Sequence, residues 1–298
     1  VTDAEFEGIY PPVPTPYSEE GEVDGVKFEN YLDFLSDNEI HGVFLLGTNG
    51  EGPLLDFDEK KKIIEIAVDH LPGDVKKIVG TACPGIREAI KIGKYAEKIG
   101  ADALHAVTPY YYPTSGQGLM DFYTKISENV ELPLFVYYIP SRTGNEMDLE
   151  TFSKLIEISN VTGIKDSSKD LGWFQRAVEA CSSKEKDFTF FAGTDAYSYF
   201  YLMLGADGAV SAVANVFPSL VVEMYEAFRN RDHERALDLQ GKILEVRREL
   251  KRGPYMSGVK AALKARGMDL GGLRSPLQNM GREERREMES HLAKLDLL

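Results

Sequence analysis

Short apolar segments alternate with longer amphipathic ones from the start of this chain to about residue 230, and few architectures accept such a rhythm. Repeated strand-helix units build a parallel sheet covered by helices. The pattern predicts eight strands, near Ile9 to Thr15, Gly42 to Leu46, Lys77 to Thr81, Ala103 to Val107, Pro133 to Tyr138, Thr162 to Lys165, Phe188 to Ala192 and Gly208 to Ser211. Helical stretches lie between them, such as Phe57 to His70, where Ile63, Ile64 and Ala67 share one face, and Ile86 to Ile99. Gly100 and Gly205, each inside a Gly-Ala-Asp turn, supply the left-handed helix cap that glycine enters without penalty.

Strand signals stop after about Phe228, and Asp232 to Leu250, Tyr255 to Arg266 and Arg282 to Lys294 read as three helices. The expected fold is an α/β one, a TIM (β/α)8 barrel over residues 1–230 with a C-terminal helical extension over residues 231–298. No candidate catalytic residue falls in that extension. An open doubly wound sheet fits less well, because no GxGxxG follows the first strand.

Charge bears on partners. The chain has 34 Lys and Arg against 48 Asp and Glu, a formal charge of −14, which argues against nucleic acid. Neither a basic, apolar leader nor an uninterrupted apolar run of about 18 residues appears, so the expectation is a cytoplasmic protein without a membrane partner. Cys83 and Cys181 are too few for a disulfide framework. The five histidines are scattered and form no HxxxH pair, so no metal is expected. An anionic substrate would have to be drawn by local groups against the overall field.

In a barrel of this kind the chemistry sits at the C-terminal ends of the strands. Lys165 ends Val-Thr-Gly-Ile-Lys, where desolvation would lower its pKa and free the amine to attack a carbonyl. Asp166 beside it pulls the other way, and by position alone a solvated surface amine is the alternative. Gly47-Thr-Asn-Gly-Glu-Gly52 follows the second strand, and its turns could aim successive N–H groups at a carboxylate. Thr108-Pro-Tyr-Tyr-Tyr-Pro113 carries three phenols on one rim loop, suited to packing or a subunit interface. Alternation sends Tyr137 and Tyr138 to opposite faces, so one at most points inward, where a phenol could act as general acid and base. Arg142 has the planar fork that holds a carboxylate, with a surface salt bridge as the alternative. Asp195, after the seventh strand, would disfavour a phosphate, and His105 reads as a core residue or one behind the site.

Taken in order, GTNGEG, TPYYYP, YYIPSRTG, GIKDSS and AGTD resemble the dihydrodipicolinate synthase and N-acetylneuraminate lyase superfamily of pyruvate-dependent class I aldolases, over essentially the whole chain. The resemblance implies that Lys165 forms a Schiff base with pyruvate and that Tyr137 shuttles protons to it. Thr48 and Tyr111 complete a proton relay, Tyr111 reaching a neighbouring subunit with Tyr110 as its interface companion, so a homotetramer of tight dimers is implied. Gly47, Thr48 and Asn49 would hold the pyruvate carboxylate and Arg142 the aldehyde partner's. No cofactor is implied beyond the covalent Schiff base, and the partners are small molecules.

On the reaction, the resemblance implies aldol condensation or cleavage, with 4-hydroxy-tetrahydrodipicolinate synthase chemistry on pyruvate and aspartate semialdehyde as the first expectation. Cleavage of 2-keto-3-deoxygluconate or another 2-keto acid is the second, favoured by the tyrosine-rich loop. Asn49 and Tyr138 depart from the synthase pattern, where a threonine and an asparagine are usual. Phe57 and Lys60 stand where lysine-inhibited synthases carry histidines, so lysine feedback is not expected. A barrel that binds a keto acid without catalysis is the remaining alternative.

Overall fold

The structure is a computed structural model that describes residues 5–184 and 186–298, and all eight expected strands form in it. They are β1 (Gly8–Tyr10), β2 (Gly42–Leu45), β3 (Lys76–Gly80), β4 (Ala103–Val107), β5 (Leu134–Tyr138), β6 (Val161–Asp166), β7 (Thr189–Ala192) and β8 (Gly208–Val210). All pairings are parallel, in the order β1-β8-β7-β6-β5-β4-β3-β2. A bridge between Pro12 and Phe44 joins the ends of the sheet into a barrel. There the Phe44 N–H donates to Pro11 O at 3.0 Å and the Val13 N–H to Phe44 O at 3.2 Å. β1 stops at Tyr10, short of Thr15, because Pro11, Pro12 and Pro14 have no N–H to extend the ladder.

The helices are α1 (Gly25–Ser36), α2 (Phe57–His70), α3 (Ile86–Ile99), α4 (Gly116–Ser127), α5 (Pro140–Thr143), α6 (Leu149–Leu155), α7 (Leu171–Ser182), α8 (Ser198–Met203), α9 (Pro218–Arg229), α10 (His233–Leu250), α11 (Tyr255–Ala265) and α12 (Arg282–Lys294). The bounds expected for α2, α3 and α12 match, and those of α10 and α11 differ by one residue, within ordinary fraying. Part of the chain's acidity serves these helices. Asp24, Asp56, Asp148, Asp170 and Asp232 each accept a first-turn N–H as N-caps, each stabilising its helix by about 1 kcal/mol relative to alanine.

Alternation along the strands sorts the apolar residues. Tyr10, Phe44, Ile78, Phe135, Tyr137 and Phe191 form a cluster inside the barrel, while Val43, Leu45, Val136, Tyr138 and Ile164 face the helices. The inside is crowded enough that Gly163 admits no side chain: a Cβ there would lie 2.2 Å from the Phe135 ring. Two residues further along β6, on the same inward face, stands Lys165.

α10 packs on α9 and reaches α8, and α11 and α12 pack on α10. The buried Gln240 side chain on α10 joins this layer to the barrel, accepting from Tyr199 N–H and donating to Asp195 O, both at 2.9 Å. Among the described residues, no helix is long and apolar enough to cross a membrane.

Candidate active site

Lys165 is 4% exposed at the inner mouth of the barrel. Its Nζ lies 4.0 Å from the Tyr137 ring centroid and 4.2 Å from that of Phe44. Burial pushes its pKa below the usual lysine value, and the Tyr137 phenol and Asp195 carboxylate pull in the opposite direction. The acid opposing the shift is therefore Asp195 and not the adjacent Asp166, which the sequence suggested. Strand alternation turns Asp166 outward, where it accepts from Tyr201 Oη and Ser168 N–H, both at 2.8 Å. His105 packs beneath, stacked on Phe44 with ring centroids 3.6 Å apart and its Nε2 2.8 Å from Leu45 O. Burial, then the Lys165 charge, pushes the His105 pKa well below the usual value. A neutral imidazole behind the amine adds no competing cation.

The inward member of the tyrosine pair is Tyr137, as alternation allows, and Tyr138 packs outward with its hydroxyl accepting from Met147 N–H at 3.2 Å. Tyr137 Oη and Thr48 Oγ1 are 3.1 Å apart, which links the β5 phenol to the loop after β2. That loop is tightly wound. Leu46 and Glu51 both have positive φ, 56° and 54°, and a Cβ on Gly52 would sit 2.1 Å from Leu46 O. The Glu51 and Gly52 N–H groups close it on Thr48 O and Gly47 O. Thr48 and Asn49 N–H groups find no backbone acceptor among the described residues, and the buried Asn49 side chain keeps an unpartnered amide oxygen. Both residues line a cavity of roughly 210 Å³ that also holds Lys165, Tyr137 and Arg142. The structure thus brings Thr48, Asn49, Tyr137, Arg142 and Lys165 around one opening.

Tyr111 and Tyr110 are not in that group. Tyr111 is 85% exposed with φ 77°, and its ring meets that of Tyr112 at a centroid distance of 4.9 Å. Tyr110 is half-buried and lines a second, apolar cavity of roughly 260 Å³ on the far side of Thr48 and Tyr137. Gly47 lines the same apolar cavity.

The C-terminal helices contribute more than the sequence suggested. Arg247 of α10 and Lys251, the residue after that helix, line the same cavity as Lys165, together with Lys169 and Asp195. From α11, Lys260 Nζ lies 3.0 Å from Glu51 Oε1, a pair only 3% and 0% exposed, and also donates to Gly272 O at 2.7 Å. Arg274 N–H donates to the other Glu51 oxygen at 2.8 Å, and its guanidinium forks onto Glu59. Glu51 belongs to the Thr48 loop, so the extension braces that loop from behind. The four-residue spacing of Arg247 and Lys251 was the available signal. It reads equally as ordinary basic residues at a helix C-terminus. Among the described residues no group of three or more His, Cys, Asp or Glu could hold a metal ion.

Residues 5–295 match the dihydrodipicolinate synthetase family. An uncharacterised DapA-like lyase of Halobacterium salinarum is 44% identical over 291 residues, 98% of this chain and 94% of the relative. The 4-hydroxy-tetrahydrodipicolinate synthase of Methanopyrus kandleri is 37% identical, covering 99% of this chain and 98% of that protein. A crystal structure of an Escherichia coli prophage protein of the dihydrodipicolinic acid synthase family, in complex with pyruvate, superposes with a TM-score of 0.94 at 27% identity over 99% of this chain and 100% of that one.

Proposed function

The chain belongs to the dihydrodipicolinate synthetase family, an enzyme family of pyruvate-dependent lyases, and from that premise we propose that Lys165 is its Schiff-base nucleophile. The observation that carries the reading is the buried Lys165 amine, packed against Tyr137, whose phenol is hydrogen-bonded to Thr48. The amine attacks the ketone of pyruvate and expels water, leaving an iminium that acidifies the methyl group. Loss of a methyl proton gives an enamine, whose carbon bonds to the aldehyde carbon while the aldehyde oxygen takes up a proton. Water then returns the amine. Tyr137 moves these protons with Thr48 as its relay partner, and the Thr48 and Asn49 N–H groups hold the pyruvate carboxylate.

Tyr111 would supply the last relay hydroxyl to a neighbouring subunit. Its exposure, with Tyr112 beside it at 73%, suits an interface anchor and supports a homotetramer of tight dimers. For the aldehyde, the Arg142 fork and the Methanopyrus relative's name favour aspartate semialdehyde, which is the 4-hydroxy-tetrahydrodipicolinate synthase reaction. Cleavage of a 2-keto-3-deoxy sugar acid is the second reading, favoured by the tyrosine-rich Thr108-Pro-Tyr-Tyr-Tyr-Pro113 loop.

Borohydride added with pyruvate is expected to leave a reduced adduct on the protein, and a folded enzyme that gains no mass overturns the reading. Tyr137→Phe should still be trapped, more slowly, while turnover falls by about 10²- to 10⁴-fold. Equal trapping and turnover in the variant and the parent would remove Tyr137 from the relay.

Asp195 sets a pH dependence. Its carboxylate favours the charged form of Lys165, so Asp195→Asn should lower the lysine pKa further. More free amine is then present at a given acidic pH, and the acid limb of the trapping rate should move to lower pH. A limb that stays fixed or moves upward would contradict this coupling.

A further inference from the structure

A buried nitrogen that becomes a cation needs a counter-charge. Among the described residues no carboxylate lies at salt-bridge distance from Lys165 Nζ, whereas the ring centroids of Tyr137 and Phe44 lie 4.0 and 4.2 Å away. An aromatic face is the negative side of the ring quadrupole and attracts a cation above it, most strongly where water is excluded. Water is excluded here, with Lys165 and Tyr137 each 4% exposed and Phe44 fully buried. The Tyr137 phenol already has a place in the proton relay. Phe44 carries no polar atom that could serve as one.

The Phe44 ring is held in a fixed plane. Alternation along β2 turns it into the barrel, where the His105 imidazole from β4 lies almost parallel to it, with ring centroids 3.6 Å apart and planes 13° apart. At that spacing the imidazole covers one face, so the amine over the same ring has the other. Tyr137 meets Phe44 edge-on, at 5.8 Å and 89°. Gly80 leaves room for the stack, since a Cβ there would lie 2.5 Å from His105 Cε1. His105 Nε2 is 2.8 Å from Leu45 O, and a carbonyl only accepts, so Nε2 carries the proton. Nδ1 is buried without a partner. The imidazole is thus tethered to the residue beside Phe44 and is uncharged.

Schiff-base formation puts its charge over this stack. The amine lone pair bonds to the ketone carbon, and the ketone oxygen leaves as water with one proton from the nitrogen and one from solvent. The nitrogen keeps one proton and a full positive charge. An aromatic face at that spot favours the iminium over the free amine, and it favours the ammonium over the free amine in the same way.

We infer that the face of Phe44 is the electrostatic partner of the Schiff-base nitrogen, and that His105 is a positioning residue that holds this face towards Lys165. The inference rests on the Lys165 Schiff-base reading and assigns the charge balance of its iminium. The other titratable groups acting on the amine are Tyr137 on β5 and Asp195 after β7, and Arg142, Lys169, Arg247 and Lys251 line the same cavity. All of these, with His105, are retained in the Phe44 variants.

The test follows trapping of the pyruvate adduct by cyanoborohydride across pH. On the plateau, where the amine is free, Phe44→Leu should trap about tenfold more slowly than the wild type, and its acid limb should lie about one pH unit lower. On the acid side the two rates should converge, because ammonium and iminium lose the same attraction. A loss that is equal at every pH, or a limb that stays in place, overturns the inference. Leucine also changes the packing, so a second series keeps the shape. Phenylalanines bearing one, two and three ring fluorines at position 44 draw density from the face and should lower the limb stepwise. A limb unmoved across that series assigns the leucine effect to packing and overturns the inference. His105→Leu should give a smaller loss of the same pH pattern, and Phe44→Leu/His105→Leu should lose no more than Phe44→Leu alone. Losses that multiply in the double variant overturn the positioning role of His105. A wild-type protein that forms the adduct, with a limb that ignores position 44, removes only this inference, whereas one that forms no adduct removes the Schiff-base reading as well.

Discussion

Lys165→Ala is expected to lower turnover by at least about 10⁴-fold, the order seen when a covalent nucleophile is removed, and to abolish the pyruvate adduct. Peptide mapping of the trapped wild-type protein should place the added mass on Lys165 alone. The structure contains a useful control, because Lys260 is as deeply buried but differs in its neighbours. Glu51 lies 3.0 Å from the Lys260 ammonium and favours its charged form, while Lys165 has aromatic ring centroids within 4.2 Å and, among the described residues, no carboxylate at salt-bridge distance. Burial lowers the pKa of both, but Lys260 lines a different cavity from the one that Lys165 shares with Thr48, Tyr137 and Arg142. Lys165→Met should fold at least as stably as the parent, since it removes a buried amine that has, among the described residues, no carboxylate at salt-bridge distance. An adduct found on Lys260, or retained in Lys165→Ala, would defeat the assignment.

The second large effect is on stability. Lys260→Met should cost about 3 to 5 kcal/mol, because it leaves the Glu51 carboxylate buried with its cation gone. At roughly 2 to 4 °C per kcal/mol for a chain of this size, thermal unfolding should fall by several degrees or more. Adding Glu51→Gln to Lys260→Met should recover most of that loss, since the uncompensated charge disappears while Arg274 N–H keeps an acceptor. Thermal or urea unfolding checks both variants. A single variant as stable as the parent, or a double variant no better than the single, would mean that the pair does not hold the extension to the Thr48 loop.

The residues divide clearly by how visible they were in sequence. The strand ends were legible because period-two alternation of apolar residues follows directly from side-chain geometry, and it correctly put Tyr137 inward and Tyr138 outward. The same rule, applied to β6, would have turned Asp166 away from Lys165. Chain adjacency is not spatial adjacency there, and the acid whose charge acts on Lys165 lies 30 residues on, at Asp195. Apolar character alone extends β1 to Thr15, whereas the prolines that follow Tyr10 lack the N–H groups to continue the ladder. Glu51 and Lys260 escaped notice altogether, being 209 residues apart and each ordinary in its own surroundings.

Local chemistry was enough to determine the barrel, the family likeness and the cluster of Thr48, Tyr137, Arg142 and Lys165, because each depends on periodicity or on short motifs at strand ends. Tertiary structure decided what surrounds them. It brought Arg247 and Lys251 to the cavity wall, set the extension's Lys260 and Arg274 behind the Thr48 loop, and left Tyr111 exposed, outside the lining of that cavity. The physical reason is that charge and burial act through space. A sequence reports spacing along the chain, whereas the sign of a cavity and the neighbours of a buried amine exist only once distant segments have packed together.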